Sequence, residues 1–139
     1  HVRSRRQRQM CIRDSSLSRT AFGKPLAQLG ANFDIIADAR MEIEMARLLC
    51  LKAAWMMDQG DPRAAAPWIS KIKVVAPIMA LKVVDEAIQL HGAGGISQDT
   101  PLAAYWMHLR TLRLADGPDA VHRRQVARAE LRKHTQEKI

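Results

Sequence analysis

The sequence predicts an all-α domain, an antiparallel four-helix bundle, and three observations carry that prediction. Hydrophobic residues make up 47% of the chain and aromatic residues only 4%, a composition led by Ala, Leu, Ile, Val and Met that favours packed helices over sheets. Apolar positions recur at steps of three and four through segments far longer than strands. Clusters of Gly, Asp and Pro punctuate this pattern, dividing it into four helices joined by short turns.

The first helix is expected from about Ala27 to Gln59. Leu29, Phe33, Ile36, Ala39, Ile43, Ala46, Cys50, Ala53 and Met57 make its apolar face, over a length of about 45–50 Å. Upstream, Gly23 and Pro25 in "RTAFGKPLAQL" break any helix arriving from the N-terminal side. In "QGDP", Gly60 suits a C-terminal cap, Asp61 an N-cap and Pro62 the first position of a second helix that reaches about Leu90. Pro67 falls near its first turn, but Pro77 lies inside the pattern, where its missing N–H predicts a kink. Beyond it, Ala80, Val83, Val84, Ala87, Ile88 and Leu90 face inward.

"HGAGGISQDTP" reads as a loop, with Thr100 as N-cap and Pro101 as first residue of a third helix. Leu102, Tyr105, Trp106, Leu109 and Leu112 form that helix's face. "RLADGPDAVHRR" closes it, and Pro118 opens a fourth helix to about His134, with Val121, Val126, Ala129 and Leu131 inward. Trp55, Trp68 and Trp106 read as packing residues, and Cys50 as a small buried hydrophobe.

Size and charge bound the function. At 139 residues the chain holds one domain. Its net charge is +8, which spread over a folded surface would point to nucleic acid. Residues 1–18 hold five Arg and one Asp, a contribution of +4, and 8 minus 4 leaves +4 for residues 19–139. That remainder sits on solvated helix faces, so neither nucleic acid nor a membrane span is expected; no run of about 18 apolar residues occurs. His91, His108, His122 and His134 lack metal-ligand spacing, which argues against a metal site.

Three stretches carry candidate chemistry. Asp116 precedes Gly117 and Pro118 at a helix mouth, where orphan N–H groups favour an ionised carboxylate; it reads either as a capping acid or as a general base. Asp119, one residue past the proline, reads as a surface acid that complements the helix dipole. "QLHGAGG", from Gln89 to Gly95, offers exposed backbone and close approach to a ligand, or simply a helix C-cap and turn. "RTAFG" offers Arg19 for a phosphate and Phe22 as the wall of a flat cofactor, or a surface Arg beside a core Phe.

Taken in order, "RTAFGKPL", "SKIKVVAP", "DEAIQLHGAGGISQDTPL" and "RLADGPDAVHRRQVARAEL" resemble the C-terminal helical domain of the acyl-CoA dehydrogenase family, closest to the branch of family members ten and eleven. The resemblance covers Arg19 to about Lys133. It implies a flavoenzyme that dehydrogenates an acyl-CoA thioester between C2 and C3, with FAD as cofactor. Asp116 stands at the position of the base that removes the C2 proton, where most of the family has Glu. Arg19, Phe22, Gln89 and Gly92 match residues that contact FAD, commonly across a subunit interface, while Ala93 stands where the family has a second glycine.

The implied partners are the acyl-CoA substrate, a second copy of the chain in a dimer or tetramer, and a flavoprotein electron acceptor. The implied compartment is the cytoplasm for a bacterial protein and the mitochondrion for a eukaryotic one. Two further expectations concern extent. Residues 1–18 read as a basic leader, disordered or artefactual, in which "RQRQMCIRDS" resembles translated adaptor read-through. Residues 19–139 read as one domain of a longer enzyme, which by itself neither holds FAD tightly nor turns over. The competing reading is a stand-alone basic helical module for nucleic acid or an acidic partner; a helical scaffold that has lost the chemistry is a third.

Overall fold

The computed structural model describes residues 17–18, 20–21, 23–25, 30 and 32–136. Arg19, Phe22, Leu29 and most of the expected leader lie outside the described residues. The elements in chain order are β1 (Thr20–Ala21), β2 (Lys24–Pro25), α1 (Asn32–Asp58), α2 (Pro62–His91), α3 (Ala93–Ile96), α4 (Leu102–Leu112) and α5 (Asp119–Gln136). Four long helices confirm the predicted all-α domain. β1 and β2 form a two-residue antiparallel ladder, Thr20 opposite Pro25 and Ala21 opposite Lys24, and Gly23 makes its turn with φ +75°.

Helix α2 is the centre of the domain, packed against α1, α4 and α5. By length and composition it is apolar enough to cross a membrane, although it carries Lys71, Lys73, Lys82, Asp85 and Glu86. Its apolar character is that of a helix covered from several sides. Val84 and, on α4, Leu102 are fully buried. Val83, Ala87 and Leu90 pack with Ala39 of α1 and Leu102 of α4, and Ala80, Leu81 and Val84 pack with Leu109.

The α1–α2 turn forms as its sequence dictates. Gly60 adopts φ +78°, and Asp61 caps α2 by accepting from the N–H groups of Arg63 at 2.9 Å and Ala64 at 3.3 Å. The predicted first helix starts too early: Gly30 takes φ +48°, and the helix begins at Asn32. Helix α2 continues through Pro67 and Pro77 without interruption. Thr100 does not cap α4; its Oγ1 donates to the Gly94 carbonyl at 3.1 Å, and the helix starts one residue later than expected. The stretch read as a loop holds one helical turn, α3.

The buried stripes are narrower than the periodicity implies. On α1 the buried residues are Ala39, Ala46 and Ala53, spaced by seven so that small side chains let the helix lie close to α2. Phe33 is 60% exposed, Trp55 50% and Leu131 67%; Met57, Trp106, Leu112 and Val121 are exposed as well. A periodic pattern marks a face that needs cover, and within this domain α2 reaches only part of each face. Lys52 lies over the Trp55 ring at 3.8 Å from its centroid, so this tryptophan meets a cation rather than the core.

Candidate active site

The turn that joins α4 to α5 carries Asp116. Asp116 has φ +53° and is followed by Gly117 at φ +96°. Two successive left-handed residues are unfavourable, costing about 1–2 kcal/mol at a residue with a Cβ, with Asp among the tolerated types. Gly117 has a second reason to be glycine: a Cβ there would sit 3.3 Å from His122 Nε2. Asp116 is exposed, three residues before α5 begins, while Pro118 accepts from the Val121 N–H at 2.9 Å in the first turn.

Side chains from two helices, α2 and α5, fasten this turn. Lys73 of α2 donates to the carbonyls of Leu112 at 2.8 Å, Ala115 at 2.7 Å and Gly117 at 3.0 Å. Its ammonium also lies at the C-terminal end of α4, where the helix dipole favours a cation. His122 Nε2 lies 3.1 Å from the Asp116 carbonyl, which can only accept, so the proton is on Nε2. Ser70 is 2% exposed, donates to Gln125 Oε1 and faces His122 Nδ1 at 3.5 Å.

Asp119 corrects its sequence reading as a surface acid: it is 8% exposed. Arg113 donates to Asp119 Oδ2 from Nε at 2.8 Å and from its terminal nitrogen at 2.7 Å, joining the end of α4 to the start of α5. Asp119 Oδ1 is buried with no hydrogen-bond partner among the described residues. The last helix starts at Asp119, one residue later than the expected Pro118.

The second candidate region ends α2. Gly92 takes φ +61° and is exposed, with no atom within 4 Å of where its Cβ would lie. Gln89 is exposed, and its carbonyl accepts from the Gly92 N–H at 3.2 Å. Gly95, which the sequence reading did not single out, is the tightest glycine of the stretch: a Cβ would stand 2.7 Å from the Ile88 carbonyl oxygen and 2.8 Å from Ile88 Cα. Its role is close packing of α3 on α2, while a Cβ at Gly92 or Gly94 would meet open space.

The two regions do not meet within one chain. Lys73 holds the Asp116 turn, and Gln89 lies 16 residues further along α2, about 24 Å at the helical rise. Arg19 and Phe22 fall outside the described residues, so the third stretch is not placed. Lys73, Ser70, His122 and the Arg113–Asp119 pair were missed as site residues from sequence. A signal existed for two of them: Ser70 and Lys73 of "SKIKVVAP" are three apart and share a helix face.

Among the described residues this helical domain carries an exposed acid on a fastened turn and, at the C-terminal end of α2, an open glycine edge. Residues 9–131 match the family model of the acyl-CoA dehydrogenase C-terminal domain, and the chain belongs to the acyl-CoA dehydrogenase family. That match begins inside the segment read as a leader. Over 114 residues the chain is 53% identical to FadE2 of Mycobacterium tuberculosis, covering 82% of this chain and 28% of FadE2. It is also 53% identical to mouse acyl-CoA dehydrogenase family member 10 over 116 residues, 84% of this chain and 11% of that protein. A solved Mycobacterium abscessus structure assigned to the acyl-CoA dehydrogenases is 54% identical, with a TM-score of 0.89 over 91% of this chain and 31% of that one. The chain therefore spans less than a third of each of these relatives.

Proposed function

We propose that this chain is the C-terminal domain of an FAD-dependent acyl-CoA dehydrogenase, in which Asp116 removes the C2 proton of an acyl-CoA thioester. The observation that carries the reading is the backbone of Asp116, exposed yet held at φ +53°, at the position that the sequence resemblance matches to the family's base. A general base must be placed within hydrogen-bond reach of its proton, and substrate that excludes water raises its basicity. Bound FAD supplies the acceptor, at N5, for the hydride leaving C3. Asp has one methylene fewer than Glu, so its reach depends on where the backbone stands.

The glycine edge supports a shared cofactor. Gln89 and Gly92 are exposed and stand about 24 Å or more along α2 from Lys73, which holds the Asp116 turn. We assign Arg19, Phe22, Gln89 and Gly92 to FAD contacts, with Gln89 and Gly92 serving the cofactor of a neighbouring subunit in a homo-oligomer. The exposed Met41, Met45 and Leu48 on α1 support a further surface packed there. A flavoprotein acceptor would take the electrons from the reduced cofactor. Substitution of Asp116 by Asn in the full-length gene product tests the reading through anaerobic flavin reduction by acyl-CoA. A rate lowered by about 10²–10⁴-fold is expected, and an unchanged rate removes Asp116 from the mechanism.

A further inference from the structure

We propose that Lys73 is a positioning residue for Asp116, locking the α4–α5 turn in the backbone conformation that aims the carboxylate, with His122 as its second fastening. This rests on the reading of Asp116 as the base. Within the turn the Thr111 carbonyl accepts from the Leu114 and Ala115 N–H groups and Arg113 pairs with Asp119, but these ties hold its two ends rather than Asp116 and Gly117. Asp116 and Gly117 are successive positive-φ residues, and Leu114 beside them is 59% exposed, so apolar burial does not fix them.

Lys73 supplies what the turn lacks. An ammonium has three donors, and all three are spent on the carbonyls of Leu112, Ala115 and Gly117, which bracket Asp116 on both sides. No carboxylate lies in ion-pair range of Lys73 among the described residues, so the turn is its partner. His122 adds a donor to the carbonyl of Asp116 itself, and buried Ser70, one helical turn before Lys73, sits against the other ring nitrogen. One face of α2 thus holds the turn directly through Lys73 and indirectly through Ser70. A short Asp has little slack, and a misplacement of about 1 Å costs on the order of 100-fold in rate.

The test uses the full-length FAD-loaded enzyme and single-turnover reduction of its flavin by saturated acyl-CoA thioesters of short, medium and long chain. Lys73→Met is expected to lower the reduction rate by about 10–100-fold, with FAD content retained and the thioester dissociation constant within about twofold. In an Asp116→Asn background, with the residual rate followed over hours, Lys73→Met is expected to add no further loss, because it acts through Asp116. A wild-type rate in Lys73→Met overturns the proposal and leaves the base reading standing. Equal fractional losses in both backgrounds make Lys73 a general structural residue and also overturn it. An unchanged rate in Asp116→Asn, or no reduction of the wild-type flavin by any thioester, overturns reading and proposal together. Should Lys73→Met fail to fold, His122→Ala, which removes the contact to the Asp116 carbonyl, is expected to lose about 10-fold. A wild-type rate there overturns the proposal.

Discussion

The glycine turn after α2 places Gly92 in the left-handed region at φ +61°, and the acid turn after α4 places two successive residues at positive φ, Asp116 at +53° and Gly117 at +96°. They are held by different means. The glycine turn is fastened by its own neighbours: the Gly95 N–H donates to Gly92, and Ser97 and Thr100 hydroxyls donate to the Gly94 carbonyl. The acid turn has local ties as well, His122 to the Asp116 carbonyl and Arg113 to Asp119, but it is also fastened from far along the chain, by Lys73 across sequence separations of 39 to 44 residues. A turn that only has to leave backbone open can be built from local chemistry. On the proposed reading, one that must aim a side chain draws on the packed helix beneath it as well.

The largest expected effect is the loss of about 10²–10⁴-fold in flavin reduction for Asp116→Asn, set against a small change in rate for Gly94→Ala on the other turn. Next comes Gly95→Ala. Its Cβ collides with the Ile88 backbone, so α3 must move off α2, at a cost of about 1–3 kcal/mol in denaturant unfolding. Gly94→Ala meets nothing within 4 Å and is expected to be neutral or stabilising by about 0.5 kcal/mol. Equal losses for the two glycines would break the picture of a self-contained turn.

On the acid turn, Arg113→Ala strands the buried Asp119 carboxylate, and a loss of about 1–2 kcal/mol is expected in the same unfolding measurement, the partial exposure of Arg113 keeping it modest. Asp61→Ala, remote from both turns, removes a cap worth about 1 kcal/mol and should leave the flavin reduction rate unchanged. The smallest effect belongs to the exposed Lys82–Glu42 pair between α2 and α1. Hydrogen bonding and attraction to Glu42 raise the Lys82 ammonium above its ordinary value of 10.5. The pair's contribution is therefore complete below that value and disappears as pH rises through the raised one. Unfolding midpoints of wild type and Lys82→Met should converge in strongly alkaline buffer, and added salt should narrow the gap at neutral pH.

Much of the architecture was legible because it rests on local physics. "QGDP" contains its own cap and first-turn proline, and Asp61 bonds the two N–H groups that such a cap serves. The inward face of α2 was legible for the same reason: Val83, Val84, Ala87 and Leu90 lie on one side of a helix that is buried there. The end of α4 was harder. Asp119 looks like a surface acid in "DGPDAV", and only the approach of Arg113 from the preceding helix turns it inward.

By itself the sequence determined the helices, their order, the α1–α2 turn and the motifs that resemble one family, since propensity, periodicity and capping act within a few residues. Tertiary structure decided which apolar stripes are core and which stay exposed, because a stripe records only that cover is needed and not which surface provides it. It also decided that Lys73 belongs to the turn that carries Asp116. A lysine on a helix reads as a solvated charge until the fold brings three carbonyls to its ammonium, and that meeting depends on how α2 crosses the end of α4, a relation no local interaction encodes.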